Sequence, residues 1–161
     1  KAYEYEPLHQ DGRNAAQKAL VGEGVKLLPS LVKADRVLSL DCDFIGLDSP
    51  YEAAAKEFMS RRAPANGSDE GANKMNRVYV IENRYTLTGG ISDHRLPLPA
   101  ALIPAAAAVL AEEVGKLAGN AALGDSAKTL SASAEPKLRE WLAVVAKDLV
   151  EHKGKSLVLV G

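Results

Sequence analysis

RVLSLDCDFIGLDSP, Arg36 to Pro50, is the stretch that decides the fold. Val37, Leu38 and Leu40 form a short apolar run that reads as a β-strand over 36–41. CDFIGLDSP then turns the chain. Ser49 stands where a helix cap is wanted, Pro50 occupies the first helical position, and Glu52 follows the cap by three residues. That spacing predicts a helix through YEAAAKEFMSRRA at 51–63, with Ala54, Ala55, Phe58 and Met59 on one apolar face.

The same alternation of strand and helix continues outward. MNRVYVIENR contains a second strand at 77–82, and the closing SLVLVG holds another at 157–160. Between them, 99–117 reads as a helix, because Pro104 falls early enough to be tolerated. Residues 135–153 are the most regular helix: Leu138, Leu142, Val145 and Leu149 recur at spacings of four, three and four, and Gly154 stops them. Upstream, AYEYE at 2–6 alternates like a short strand, and the segment after Asp11 predicts a helix ending at Gly22 or Gly24. Residues 64–74, with no apolar side chain larger than alanine or proline, predict a mobile loop. Residues 119–133, small and polar, predict a linker or a variable insertion. Strands separated by helical patterns predict one three-layer α/β domain, Rossmann-like, with a mostly parallel sheet.

Composition narrows the classes. The chain of 161 residues is long enough to bury a core as one domain. A formal net charge of -1 gives no reason to expect nucleic acid or an anionic membrane as a partner. Cys42 is the single cysteine, which excludes an internal disulfide framework and any multi-cysteine zinc or iron-sulfur site in this chain. The most apolar stretch, ALIPAAAAVLAEEVGKLAG, is interrupted by Glu112 and Glu113 and does not read as a membrane span. A start without methionine and an end on a core strand predict a segment excised from a longer polypeptide.

Ligands of open α/β sheets gather outside the carboxyl ends of the strands. Two such ends are polar here, Asp41-Cys42-Asp43 and Glu82-Asn83-Arg84. Neither is followed by a GxGxxG turn or a Walker A loop, so an autonomous nucleotide-binding domain is disfavoured. Asp41 and Asp43 are a possible pair for a hard cation, or ordinary turn formers. Cys42 reads as a buried structural thiol, since no histidine is near it in sequence. Ser92, Asp93 and His94 contain the residue types of a hydrolytic triad, but three adjacent residues do not fold back onto two nitrogens of one imidazole. YTLTGGISDHRLPLP, Tyr85 to Pro99, makes better sense as a structured loop. Thr86 and Thr88 can bond to turn backbone, Gly89 and Gly90 relax the backbone, and Asp93 can accept local amides or pair with Arg95. Pro97 and Pro99 fix an extended exit. The loop suits a cofactor, a partner chain, or a simple connection.

VKADRVLSLDCDFIG followed by MNRVYVIENRYTLTGGISDHRLPLP resembles the molybdopterin oxidoreductase-like subunit of bacterial alternative complex III, over most of residues 1–118. More distantly it resembles the dimethyl-sulfoxide-reductase molybdoenzymes. The resemblance implies an interior slice of a molybdoenzyme-like region. The parent would belong to a membrane-bound, quinol-oxidising respiratory complex at the periplasmic face of the bacterial cytoplasmic membrane, passing electrons through iron-sulfur clusters held elsewhere. Its partners would be the remaining domains of the parent chain and the other subunits. In the catalytic relatives a loop after a Rossmann-like strand approaches one guanosine of the bis-guanine-dinucleotide molybdenum cofactor. The segment from Glu82 to Arg95 matches that region, with Glu82 and Arg84 where an Asp-Pro-Arg-like run is usual and the proline missing. The complex III subunit lacks the molybdenum cofactor, so the resemblance implies a retained fold without pterin chemistry and no cofactor in this segment. Two readings follow. In one, this is a non-catalytic scaffold whose Asp93, His94 and Arg95 steady a loop or meet a neighbouring domain. In the other, it is a cofactor-binding domain in which Glu82, Arg84, Asp93 and Arg95 face guanosine or phosphate.

Overall fold

A computed structural model describes residues 11–25, 27–62, 75–132 and 134–161. The expected strand at 2–6 and the loop at 64–74 lie outside the described residues. The sheet has four strands, all parallel: β1 (Arg36–Leu40), β2 (Arg77–Glu82), β3 (His94–Pro97) and β4 (Ser156–Val160), in the order β3-β2-β1-β4. Arg36 lies level with both Arg77 and Ser156, so the three long strands begin in step.

Strand periodicity explains the layers. Along β1 and β2, Val37, Val78 and Val80 point to one face, where Leu31, Phe44 and Phe58 cover them. Leu38, Leu40, Tyr79 and Ile81 point to the other, against Leu142, Val145 and Val109. Burial on both faces is why these strands read as nearly unbroken apolar runs. The first face is covered by α2 (Ala54–Ser60), the second by α4 (Ile103–Ala118) and α6 (Pro136–Glu151). This is the three-layer α/β, Rossmann-like arrangement with a parallel sheet.

The helices around the sheet correct several boundaries. α1 spans Asp11–Val21 and stops at Gly22, whose φ of +88° suits glycine. α2 begins at Ala54 with no side-chain cap. Ser49 is not its cap; the hydroxyl instead donates to the Tyr51 carbonyl at 3.0 Å, because residues 44–48 form a tight turn ahead of the helix. The Tyr85–Pro99 segment is not a plain loop: it holds a one-turn helix, α3 (Leu87–Gly90), and the edge strand β3. Pro97 is at home there, since an edge strand has one side without ladder partners. A 3-10 turn, Ala100–Leu102, leads into α4.

The expected linker at 119–133 is a helix for most of its length, α5 (Ala121–Ser131). Gly119, at φ +68°, ends α4, and the Asn120 side chain caps α5 by accepting from the Leu123 amide. The run looked like a linker because its residues are small. Smallness is what lets α5 lie against α4: a Cβ on Gly115 would sit 2.8 Å from the Asn120 carbonyl oxygen and 3.0 Å from the Gly124 nitrogen. Among the described residues, no helix is long and apolar enough to cross a membrane.

Candidate functional site

The carboxyl ends of β1 and β2 meet in a cleft of about 680 Å³, lined by Asp43, Leu47, Arg84, Tyr85, Leu87 and Ile91 among others. Its floor is made by two connections that the sequence keeps far apart. At the end of β1 the Ser39 hydroxyl donates to the Cys42 carbonyl at 2.6 Å and accepts from the Cys42 amide at 3.2 Å. Asp41 takes a positive φ of 52°, a conformation that Asp tolerates better than most residues, and the chain turns out of the sheet. Asp41 Oδ1 then accepts from the Asn83 amide at 3.2 Å, linking the two strand ends.

Asp43 makes the main joint. It is 6% exposed, and its Oδ1 accepts from the Thr88 amide at 3.0 Å and the Thr88 hydroxyl at 2.8 Å. Its Oδ2 accepts from the Leu47 amide at 3.2 Å, and Thr88 Oγ1 accepts from the Ile45 amide at 3.1 Å. Burial pushes the Asp43 carboxyl upward, but the hydrogen bonds from Thr88, Leu47 and Gly46 outweigh it and hold the group below the ordinary aspartate range. Asp43 and Asp41 therefore act as turn builders. Among the described residues, no group of three or more His, Cys, Asp or Glu converges as a metal set would. Cys42 is a buried thiol.

Glu82, at the end of β2, is 1% exposed. Arg95 Nε, reaching across from β3, donates to its Oε1, and the Thr86 hydroxyl donates to Oε2 at 2.6 Å. Thr86 in turn caps α3 by accepting from the Gly89 amide at 3.0 Å. Gly89 has to be glycine: an added Cβ would overlap the Glu82 carboxylate, lying 2.6 Å from its Cδ. The Arg95 guanidinium is also 4.8 Å from the centre of the Tyr85 ring.

The four residues expected to form one constellation do not. Glu82 and Arg95 are joined, and Arg84 is exposed at the mouth of the adjacent cleft, with no ion pair among the described residues. Asp93 lies at the opposite end of the sheet. It accepts from the Val78 amide at 2.8 Å, and Val78 is four residues from Glu82, about 13 Å along the strand. A paired Asp93 and Arg95 is corrected likewise: the partner of Asp93 is Arg62, which donates from two nitrogens at 2.9 and 2.6 Å. The reason is parallel register. His94 lies level with Tyr79, so Asp93 falls at the start of β2 while Arg95 points on towards its end. Burial raises Asp93, yet the Arg62 bonds and the Val78 amide bring it net below the ordinary range. Ser92, Asp93 and His94 enter three environments: Ser92 donates to the Gly89 carbonyl at 2.8 Å, and His94 stacks on Tyr79 with ring centres 5.0 Å apart.

Sequence reading missed a second polar centre. Asp148, on α6, receives Arg36 Nε at 2.6 Å, the Tyr79 hydroxyl at 2.7 Å and Arg77 at 3.3 Å. Burial raises this carboxyl, but Tyr79 and Arg36 lower it further, so it stays ionised. The signal was present: two strands open with Arg-Val, at matching register, and Asp148 follows Val145 by one helical turn on the buried side. Its position, opposite the cleft, makes it a structural pin between α6 and the amino ends of the strands. Comparison of the sequence with known protein families and with characterised proteins finds no match.

Proposed function

We propose that this chain is a non-catalytic structural domain of a larger subunit in a bacterial, quinol-oxidising respiratory complex, similar to the molybdopterin oxidoreductase-like subunit of alternative complex III. One observation carries the reading. Every acidic side chain at the carboxyl ends of β1 and β2 is engaged by the domain's own groups: the half-buried Asp41 by the Asn83 amide, the buried Asp43 by Thr88 and Leu47, and the buried Glu82 by Arg95 and Thr86. A site that reads guanosine needs an acceptor facing outward, and a general base needs an unengaged lone pair. In this reading the parent sits at the periplasmic face of the cytoplasmic membrane, iron-sulfur clusters lie in its other regions, and the domain's partners are those regions and the neighbouring subunits. Nucleic acid is not among them.

The alternative, a guanine-dinucleotide-binding domain of an active molybdenum oxidoreductase, is favoured by one feature, the exposed Arg84 beside Tyr85 in the strand-end cleft. Metal analysis of the purified chain together with calorimetric titration of guanosine mono- and diphosphate separates the two. The structural-domain reading expects no saturable nucleotide binding and no stoichiometric metal. Tight one-to-one binding of either overturns it.

A further inference from the structure

The strand-end cleft has the makings of a contact surface whose chemistry can be named. Three large apolar side chains lining it are largely exposed: Leu47 at 84%, Tyr85 at 73% and Leu87 at 65%. They belong to two separate connections, yet they are held by a rigid base, since Asp43, Thr88 and the Ile45 amide bind those connections together. Tyr85 is further braced by the Arg95 guanidinium over its ring. Such a rim exposes apolar surface without the mobility that would make covering it entropically expensive.

The electrostatics select among occupants. Asp43 is buried and hydrogen-bonded, and Glu82 is neutralised by Arg95. Arg84 is left as the cationic group at the mouth, exposed and without an ion pair among the described residues. A single cation with no glycine-rich phosphate loop is a poor cradle for a polyphosphate. A single cation among leucine, isoleucine and tyrosine is well matched to one carboxylate flanked by apolar side chains.

The geometry points to this cleft as the docking site for a segment of a partner protein that places an Asp or Glu on Arg84 and an adjacent Leu, Phe or Trp between Leu47 and Leu87. Such a contact presupposes the structural-domain reading above, and it says which face of the domain meets its neighbour.

The test is a selection of random displayed dodecapeptides on the 161-residue chain, with hits then titrated against wild type, Arg84→Glu and Leu47→Asp. Both changed side chains are exposed, and circular dichroism verifies that each variant is folded. The expected hits carry an acidic residue beside a large apolar one, bind both variants at least about tenfold more weakly, and shift the amide resonances of Tyr85, Leu87 and Ile91. No enriched binder, binders without an acidic residue, or binders indifferent to both substitutions would each overturn the inference. Guanosine diphosphate is titrated in parallel. Saturable binding that Arg84→Glu abolishes would overturn the structural-domain reading as well, whereas failed peptide binding without nucleotide binding removes the docking site alone.

Discussion

Replacing Glu82 by alanine tests whether the strand-end acids serve the fold or a ligand. The carboxylate is 1% exposed and holds Arg95 and the Thr86 hydroxyl, which is itself the cap of α3. Breaking a fully buried ion pair by removing one partner destabilises by about 3–5 kcal/mol. Here Arg95 keeps a quarter of its side chain in solvent and its stacking on Tyr85, which reduces that loss to about 2 kcal/mol. The Thr86 hydroxyl loses its acceptor at a further cost of about 1 kcal/mol. The sum, about 3 kcal/mol, corresponds to a fall in Tm of about 6–12 °C for a chain of this size. Urea unfolding followed by circular dichroism measures it directly, and the slope against denaturant should not change. A double-mutant cycle with Arg95→Ala should return a coupling of about 2 kcal/mol, because most of the loss belongs to the pair. The opposite sign refutes the reasoning. Residues kept for a ligand tend to be held against stability, so a Glu82→Ala protein as stable as wild type or more so would mean that the carboxylate is reserved for something outside the domain.

Asp93 predicts a pH effect. Its carboxyl lies below the ordinary range in the folded protein, so its contribution is present above the unfolded value near 4 and is lost as pH falls through the lower folded value. Asp93→Asn should therefore lower stability at neutral pH and flatten the acid limb of a stability–pH curve, as seen in denaturant titrations from pH 2 to 7. Two glycines of the α4–α5 contact should behave oppositely. Gly115→Ala forces a methyl against the Asn120 carbonyl and should destabilise by about 1–3 kcal/mol, whereas a Cβ on Gly124 meets nothing nearer than 3.9 Å, and Gly124→Ala should stabilise by up to about 1 kcal/mol through helix propensity. Glu112, held by Lys116, Ser131 and Arg139, is pulled down to about 2, and a carbon-detected carboxyl titration should find it still ionised at pH 3. An ordinary glutamate titration there would mean that these contacts do not persist in solution.

Most of the architecture could be read before any coordinates because β1, β2 and α6 are buried continuously or on a regular stripe, and burial writes itself into apolar pattern. What escaped was written in another alphabet. β3 buries little and gives only Leu96 and Pro97 as signal, since its stability comes from backbone pairing with β2. The seating of α5 on α4 depends on the absence of a side chain at Gly115, which in sequence is indistinguishable from flexibility. Glu82 and Arg95 could be named as candidates, thirteen residues apart, but their union and the banishment of Asp93 to the far end depend on the register of β2 against β3. Asp148 left a trace, the Arg-Val opening shared by β1 and β2, but that trace becomes a centre only once the register sets Arg36 beside Arg77.

The shared Asp43–Thr88 joint has a mechanical consequence. Many α/β proteins open and close by letting one loop swing while its neighbour stays still. Here the two turns above β1 and β2 are stitched by three bonds through a single carboxylate and a single hydroxyl, so neither can lift without the other. The lip of the domain is a solid bracket, and whatever seats against it must conform to the bracket's shape.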